Sequence, residues 1–370
     1  MKIGIISMQR VKNNGSFLQA YALYNKLKAY GHDVEFIDYN DEMHAEEKKQ
    51  VESFSKQVLK TIKSILNPKY RRLVEVAKHR QLFSEKYTSF LSDIGLTKAY
   101  NYHSGKEFDL IVIGSDEVFN ICQYSDKNYA IPWELFAEGL HAHKVITYAA
   151  SCGQTSLQKV SEIQETEHCK ELLSRFSAVS VRDENTYNFV RGLTGSEPIY
   201  HIDPVLWMDE FPKDPLYKKP DYKYLLVYAY TMRMNSEAEQ VAIKTYAKKH
   251  GLKIICVNCY QPWCDVKITT TPFSLLEYIR DAECVVTDTF HGTVFSIRNN
   301  TKFVTIVRES NRNKLRSLLK QFSLSAREVS GIENFEKIME APIDFETVNR
   351  TLDIERNRSK EYIESQLSFN

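Results

Sequence analysis

The stretch Cys284–Val307, CVVTDTFHGTVFSIRNNTKFVTIV, leaves the chain little choice of fold. It reads as a buried strand (Cys284–Asp288), a turn (Thr289–Gly292), a short apolar helix (Thr293–Asn299) and a second strand (Phe303–Val307). Short β-branched runs bounded by polar turns, with a helix between them, are the pattern of parallel strands covered on both faces. Ligands bind at the carboxyl ends of such strands. Thr289, Phe290, His291 and Gly292 fall at such an end and also open a helix, where free N–H groups and the helix dipole favour an anion. Gly292 admits a ligand close to the backbone, and His291 adds a group that titrates near neutral pH. The plain alternative is a helix start carrying a surface histidine.

The same alternation recurs along the chain. Lys2–Met8 is a strand, Asn13–Gly15 a turn, and Ser16 an N-cap for a helix whose apolar residues Phe17, Ala20, Tyr21, Tyr24 and Leu27 keep helical spacing up to Gly31. Val34–Tyr39 follows as a second strand. Asn14 and Gly15 in that turn can meet a phosphate or a sugar, or simply turn the chain. The spaced glycines of a dinucleotide fingerprint and the Gly-Lys-Ser/Thr of a P-loop are both missing. Phe108–Gly114 is a buried strand ending in Ser115, Asp116 and Glu117. Ser115 is a donor candidate for a phosphate oxygen, and Asp116 either accepts from a sugar hydroxyl or caps a helix. Ala178–Asp183 is a strand ending on Arg182, which either pairs with Asp183 or Glu184 or forks onto a phosphate or carboxylate. A helix is expected over Gln158–Phe176, and Pro198–Leu206 places His201 and Asp203 just before Pro204.

These units define two Rossmann-like domains, residues 1–208 and 222–325, with the Pro- and charge-rich segment 209–221 as linker. Residues 41–98 form a charged helical insertion in the first domain, and residues 326–370 end in a helix placed to pack back on it. The fold class is therefore α/β, with mainly parallel sheets facing across a cleft, a common ligand site. The 370 residues are 43% apolar, enough for two cores. With 49 basic against 48 acidic residues the net charge is +1, which excludes bulk nucleic-acid binding as a driving force. No run of 18 apolar residues is present and Met1–Met8 lacks a signal-peptide pattern, so a cytoplasmic protein is expected. Lys69, Arg71, Arg72, Lys78 and Arg80 of the insertion form a solvated basic face or touch an anionic inner membrane face. Cys256, Cys259 and Cys264 cluster without an evident fourth ligand, so reduced thiols rather than a zinc site are expected.

Six segments in one order carry a family resemblance: NNGSFLQAYAL, IVIGSDEVFN, ITYAASCG, VSVRDENT, HIDPVLWM and VVTDTFHGTVFSI. Together they make the chain resemble the polysaccharide pyruvyl transferases, whose two-domain fold is similar to that of GT-B glycosyltransferases. Glu117 and Phe119 stand where members often carry Gln and Trp, and Asn313-Lys314-Leu315 where Ser-Arg-Ile is common, which makes Arg312 and Lys314 candidate anion contacts. The resemblance implies transfer of the pyruvyl group of phosphoenolpyruvate to two hydroxyls of one sugar, giving a cyclic ketal and phosphate. It places Arg182 and His291 at donor-binding or catalytic positions. Ser115, Asp116, Thr289 and Gly292 lie in its matching motifs. His291 can act as acid, as base or as phosphate ligand, and Asp116 is a candidate base. No metal or cofactor is required, since fixed donors can carry the developing charge. The implied acceptor is a lipid-linked or nucleotide-linked saccharide of capsule, exopolysaccharide or cell-wall synthesis. A GT-B-like glycosyltransferase using a nucleotide sugar is the competing expectation.

Overall fold

A computed structural model describes residues 1–39, 68–93, 100–101, 105–231 and 233–368 of the chain. Of the insertion, the helix Pro68–Asp93 is described, with Lys78 and Arg80 exposed; the side chains of Lys69, Arg71 and Arg72 lie outside the described residues.

Two parallel sheets carry the fold. The first contains β1 (Lys2–Ile6), β2 (Asp33–Asp38), β3 (Tyr100–Asn101), β4 (Phe108–Asp116), β5 (Ala142–Ala150), β6 (Ser180–Val181) and β7 (Ile199–Tyr200). Its spatial order is β3-β2-β1-β4-β5-β6-β7. The second contains β8 (Tyr224–Tyr228), β9 (Lys253–Val257), β10 (Val266–Ile268), β11 (Cys284–Thr287) and β12 (Phe303–Thr305), in the order β10-β9-β8-β11-β12. Each sheet winds outward one way from its first strand, then reverses to the other side. The reversal falls between β1 and β4 in one sheet and between β8 and β11 in the other, and such switch points open a crevice at the strands' carboxyl ends. The central strands of the second sheet are covered on both faces: every residue of β8 and β11 is buried.

The two halves share packed surface. Phe17 of α1 (Asn14–Ala29) meets Phe90 of α2 (Pro68–Asp93) edge-on at 5.2 Å and Phe273 of the second half at 6.2 Å. Arg298 donates to the Val205 carbonyl at 2.8 Å and to that of Asp209 at 2.7 Å. The terminal helix α8 (Phe345–Leu367) returns to the first half, where Tyr362 donates to the Thr147 carbonyl of β5 at 2.8 Å. One apolar cluster therefore runs from Ile3 and Leu110 through Trp207 to Val285 and Phe295.

Several local expectations shift. The expected helix Gln158–Phe176 is two helices, Leu157–Glu162 and Thr166–Ser174. Asn13, not Ser16, caps α1: its side chain accepts from the Gly15 N–H at 2.8 Å, so Asn14 and Gly15 belong to the first turn of the helix. Likewise the helix after β11, α6 (Phe290–Arg298), starts three residues earlier than its apolar run suggests. The Thr289 hydroxyl accepts from the Gly292 N–H at 2.9 Å and so draws His291 into the first turn. The intervening helices used below are α3 (Glu184–Thr194), α4 (Pro204–Trp207), α5 (Pro272–Arg280) and α7 (Arg312–Gln321).

Candidate active site

The two switch points face each other, and a charged cluster fills the space between them. Arg182 leaves β6 and is buried, its guanidinium held between two carboxylates: Nη1 donates to Asp203 Oδ2 at 2.9 Å and Nη2 to Asp116 Oδ1 at 3.1 Å. Its planar face rests on the Phe290 ring, 4.3 Å from the centroid. The other oxygen of Asp116 accepts from the Ser16 hydroxyl in the first turn of α1 at 2.6 Å. Across the gap, His291 Nε2 lies 3.5 Å from Asp203 Oδ2 and makes no hydrogen bond among the described residues. Asp203 therefore touches both the cation of the first half and the histidine of the second. It can do so because it also caps α4, accepting from the Val205 N–H at 3.0 Å, which fixes its side chain.

Charge balance follows from this geometry. Burial alone would push the Asp116 carboxyl up, but Arg182, then His291, the Ser16 hydroxyl and Lys314 hold it well below the usual carboxylate range. Burial would likewise depress Arg182, and Asp116 and Asp203 keep it more firmly charged than usual. A second bridge crosses the gap beside the first: Lys314, in the first turn of α7, donates to Glu117, which also accepts from Asn120 at 2.6 Å. The cluster contains a carboxylate whose folded-state pKa is depressed, so its stabilisation is complete above the unfolded value near pH 4 and lost as pH falls through the lower folded value. Between pH 5 and pH 2, wild-type urea midpoints are expected to fall more steeply than those of Asp116→Asn. The difference approaches at most about 1.4 kcal/mol per pH unit for one group; equal slopes would remove Asp116 from this account.

The sequence candidates separate on this geometry. His291, Arg182, Asp116, Phe290 and Lys314 come together, and Gly15 and Asn14 border them. Gly15 packs on the His291 ring so closely that a Cβ there would lie 2.1 Å from Nδ1. Gly15→Ala should thus displace the ring and cut turnover at least about tenfold, although alanine within a helix otherwise gains roughly 0.5–1 kcal/mol over glycine. Steady-state rates beside a thermal melt would show whether the two effects part in this way. Asn14 reaches across, accepting from Asn258 at 3.2 Å and lying 3.5 Å from the Tyr228 hydroxyl.

Other candidates take different parts. Ser115 is fully buried and its hydroxyl donates to the Ala149 carbonyl at 2.7 Å, so it is committed to the sheet rather than free as a phosphate donor. Arg312 pairs with Glu309 on the exposed side of α7, away from the cluster. The Thr289 hydroxyl and the Gly292 N–H are tied to each other as a helix cap, leaving the first-turn N–H groups of Phe290 and His291 without intrahelical acceptors. Asp116 is a weak base in this setting, since both its oxygens accept hydrogen bonds and its charge is held. Sequence reasoning passed over Asp203; the signal was there, an Asp-Pro following an apolar strand, but it pointed equally to a helix cap. His201, by contrast, stacks on Tyr148 and Tyr362 and bonds Ser180 at 2.8 Å, and burial pushes it down to about 4.

Cys256, Cys259 and Cys264 are buried free thiols, with Cys256 in contact with both others. Among the described residues no group of three or more His, Cys, Asp or Glu is arranged to hold a metal ion. Among them, too, no helix is long and apolar enough to cross a membrane.

Two Rossmann-like halves with a buried charged cluster between their switch points define a GT-B-like α/β scaffold. The sequence pattern of the polysaccharide pyruvyl transferases matches residues 13–311. The chain belongs to that family, a family of transferases. Similar solved structures include the Staphylococcus aureus MnaA–UDP complex, at 12% identity and TM-score 0.49, covering 99% of this chain and 96% of that one. Another is the UDP-GlcNAc 2-epimerase of Neisseria meningitidis bound to UDP-GlcNAc, at 10% identity and TM-score 0.49, covering 99% and 100%. A third is the Streptomyces sp. SF2575 glycosyltransferase SsfS6 with thymidine diphosphate, at 11% identity and TM-score 0.47, covering 98% and 99%. No curated protein matches the sequence.

Proposed function

We propose that the protein transfers the pyruvyl group of phosphoenolpyruvate to two hydroxyls of one sugar, closing a cyclic ketal and releasing phosphate, in the assembly of a bacterial surface polysaccharide. One observation carries this reading: His291, with an unpartnered Nε2, stands in the first turn of a helix, 3.5 Å from Asp203 and beside the buried Arg182. The chemistry needs those parts. The methylene carbon of the donor takes a proton, and the adjoining carbon, now oxocarbenium-like, is attacked by a sugar hydroxyl that gives up its own proton. The carbon–oxygen bond to phosphate then breaks, and the second hydroxyl closes the ring as its proton passes to the leaving phosphate. His291 is the group that moves the proton, with the Asp203 carboxylate 3.5 Å from its Nε2 to stabilise the charged ring. The first-turn N–H groups of Phe290 and His291 and the positive end of α6 favour the donor's anionic groups. Lys314, released from Glu117, and the Nε of Arg182, unpartnered among the described residues, supply further donors.

The acceptor is a carrier-linked saccharide handled on the cytoplasmic side, and the exposed Lys78 and Arg80 of α2 suit peripheral contact with an anionic membrane face. The test is phosphate release from phosphoenolpyruvate in the presence of candidate saccharides, followed by mass spectrometry. The expected product is heavier than the acceptor by pyruvic acid less one water. Transfer of a glycosyl group from a nucleotide sugar, without phosphate release from phosphoenolpyruvate, would replace this reading by the glycosyltransferase one.

A further inference from the structure

A second charged corner lies at the switch point of the second sheet, outside the Arg182–His291 cluster. It is built from residues just beyond the carboxyl ends of β8, β11 and β12. Arg308 Nε donates to Asp288 Oδ2 at 3.2 Å, and Arg233 Nη1 lies 4.0 Å from the same oxygen, so two guanidinium groups sit side by side on one buried carboxylate. Glu239 holds Arg308 from behind at 2.6 Å, and Asn311 donates to the Asp288 carbonyl at 2.6 Å. Tyr230 covers the corner with Arg233 stacked 4.7 Å from its ring centroid, yet it is 47% exposed. It also stands beside Lys314 and Glu117, which joins this corner to the central cluster.

The hydrogen-bond inventory is lopsided. Among the described residues Arg308 Nη2 is buried without a partner and Arg233 makes only its loose 4.0 Å contact with a charged group, so spare donors are several. Among the described residues Asp288 Oδ1, on a fully buried side chain, and Gln261 Oε1, behind the Tyr230 carbonyl, are buried acceptors without a partner. Burial pushes the Asp288 carboxyl up against the pull of Arg233 and Arg308, which weakens the negative side of the corner further. A ligand that suits this set brings acceptor oxygens and negative charge, and the guanidinium of Arg233 beside the spare Nη2 of Arg308 suits the oxygens of two adjacent phosphoryl groups.

We propose that the Tyr230, Arg233, Arg308 and Asp288 corner is a second subsite that holds the diphosphate of a glycosyl diphosphate acceptor, with Tyr230 lying along the first sugar. The assignment rests on the donor reading above, because it gives the acceptor's carrier end a place apart from His291. Calorimetric titration of the full chain with inorganic pyrophosphate, UDP and geranyl diphosphate tests it. Pyrophosphate should bind in the presence of saturating phosphoenolpyruvate. Arg233→Ala, at a side chain 37% exposed, should weaken it at least tenfold, Arg308→Lys should weaken it similarly, and His291→Ala should leave it unchanged. Tighter binding of UDP marks a nucleotide carrier, and tighter binding of geranyl diphosphate a prenyl carrier; either supports the subsite. Absence of pyrophosphate binding, its displacement by phosphoenolpyruvate, its loss in His291→Ala, or binding of pyrophosphate without either ester would overturn the proposal. Failure of the donor reading shows separately, as no phosphate release from phosphoenolpyruvate, in an assay that pyrophosphate binding does not enter.

Discussion

His291→Ala is expected to slow phosphate release from phosphoenolpyruvate by about 10²–10⁴-fold, the usual contribution of a positioned acid or base. The fold should survive, because the ring packs mainly on Gly15 and Phe290 at the gap between the halves rather than inside either sheet. His291→Gln sharpens the test, since glutamine keeps a polar group beside Asp203 but cannot shuttle a proton at neutral pH. Both variants should fail alike if proton transfer is the role, whereas substantial recovery in the glutamine variant would mean that His291 only binds. Near wild-type phosphate release by the alanine variant would remove His291 from the mechanism altogether.

The second large effect is on stability. Arg182→Met leaves Asp116 and Asp203 as buried carboxylates without their shared cation, and breaking a buried pair in this way costs about 3–5 kcal/mol. That is a large share of the roughly 5–15 kcal/mol by which a domain is stable, so the urea midpoint at pH 7 should drop sharply. Adding Asp116→Asn and Asp203→Asn to the same chain should restore part of the loss, since no unpaired charge then remains buried. A midpoint for Arg182→Met within about 1 kcal/mol of wild type would show that the guanidinium stabilises neither carboxylate. Arg182→Lys should fall between, because one ammonium cannot span two carboxylates as a planar fork does. The same substitution should raise the KM for phosphoenolpyruvate, and an unchanged KM would confine Arg182 to holding the two aspartates.

Arg182 also shows where reading the sequence stops. Its position at a strand end made two partners plausible, a neighbouring carboxylate or a ligand anion, and spacing cannot choose between them. The structure brings in Asp116 from β4 and Asp203 from α4, both distant in sequence, and neither was an expected partner. His291 was legible because it opens a helix at a strand end, a local property, whereas Lys314 was named only through the family resemblance. Ser115 looked equally promising by that logic, yet its hydroxyl closes a bond to a neighbouring strand. Tyr230, Arg233 and Arg308 escaped notice because they lie in irregular segments and converge only through the order of β8, β11 and β12.

The sequence alone determined the alternation of short apolar strands and helices, the parallel character of the sheets and the placing of His291 at a helix start. These depend on side-chain periodicity and on caps formed within a few residues of chain. Which polar groups face one another was decided by the tertiary structure. Two switch points from separate sheets meet only once strand order is set, and a buried charge finds its partner among residues that packing, not spacing, brings within 3 Å or so.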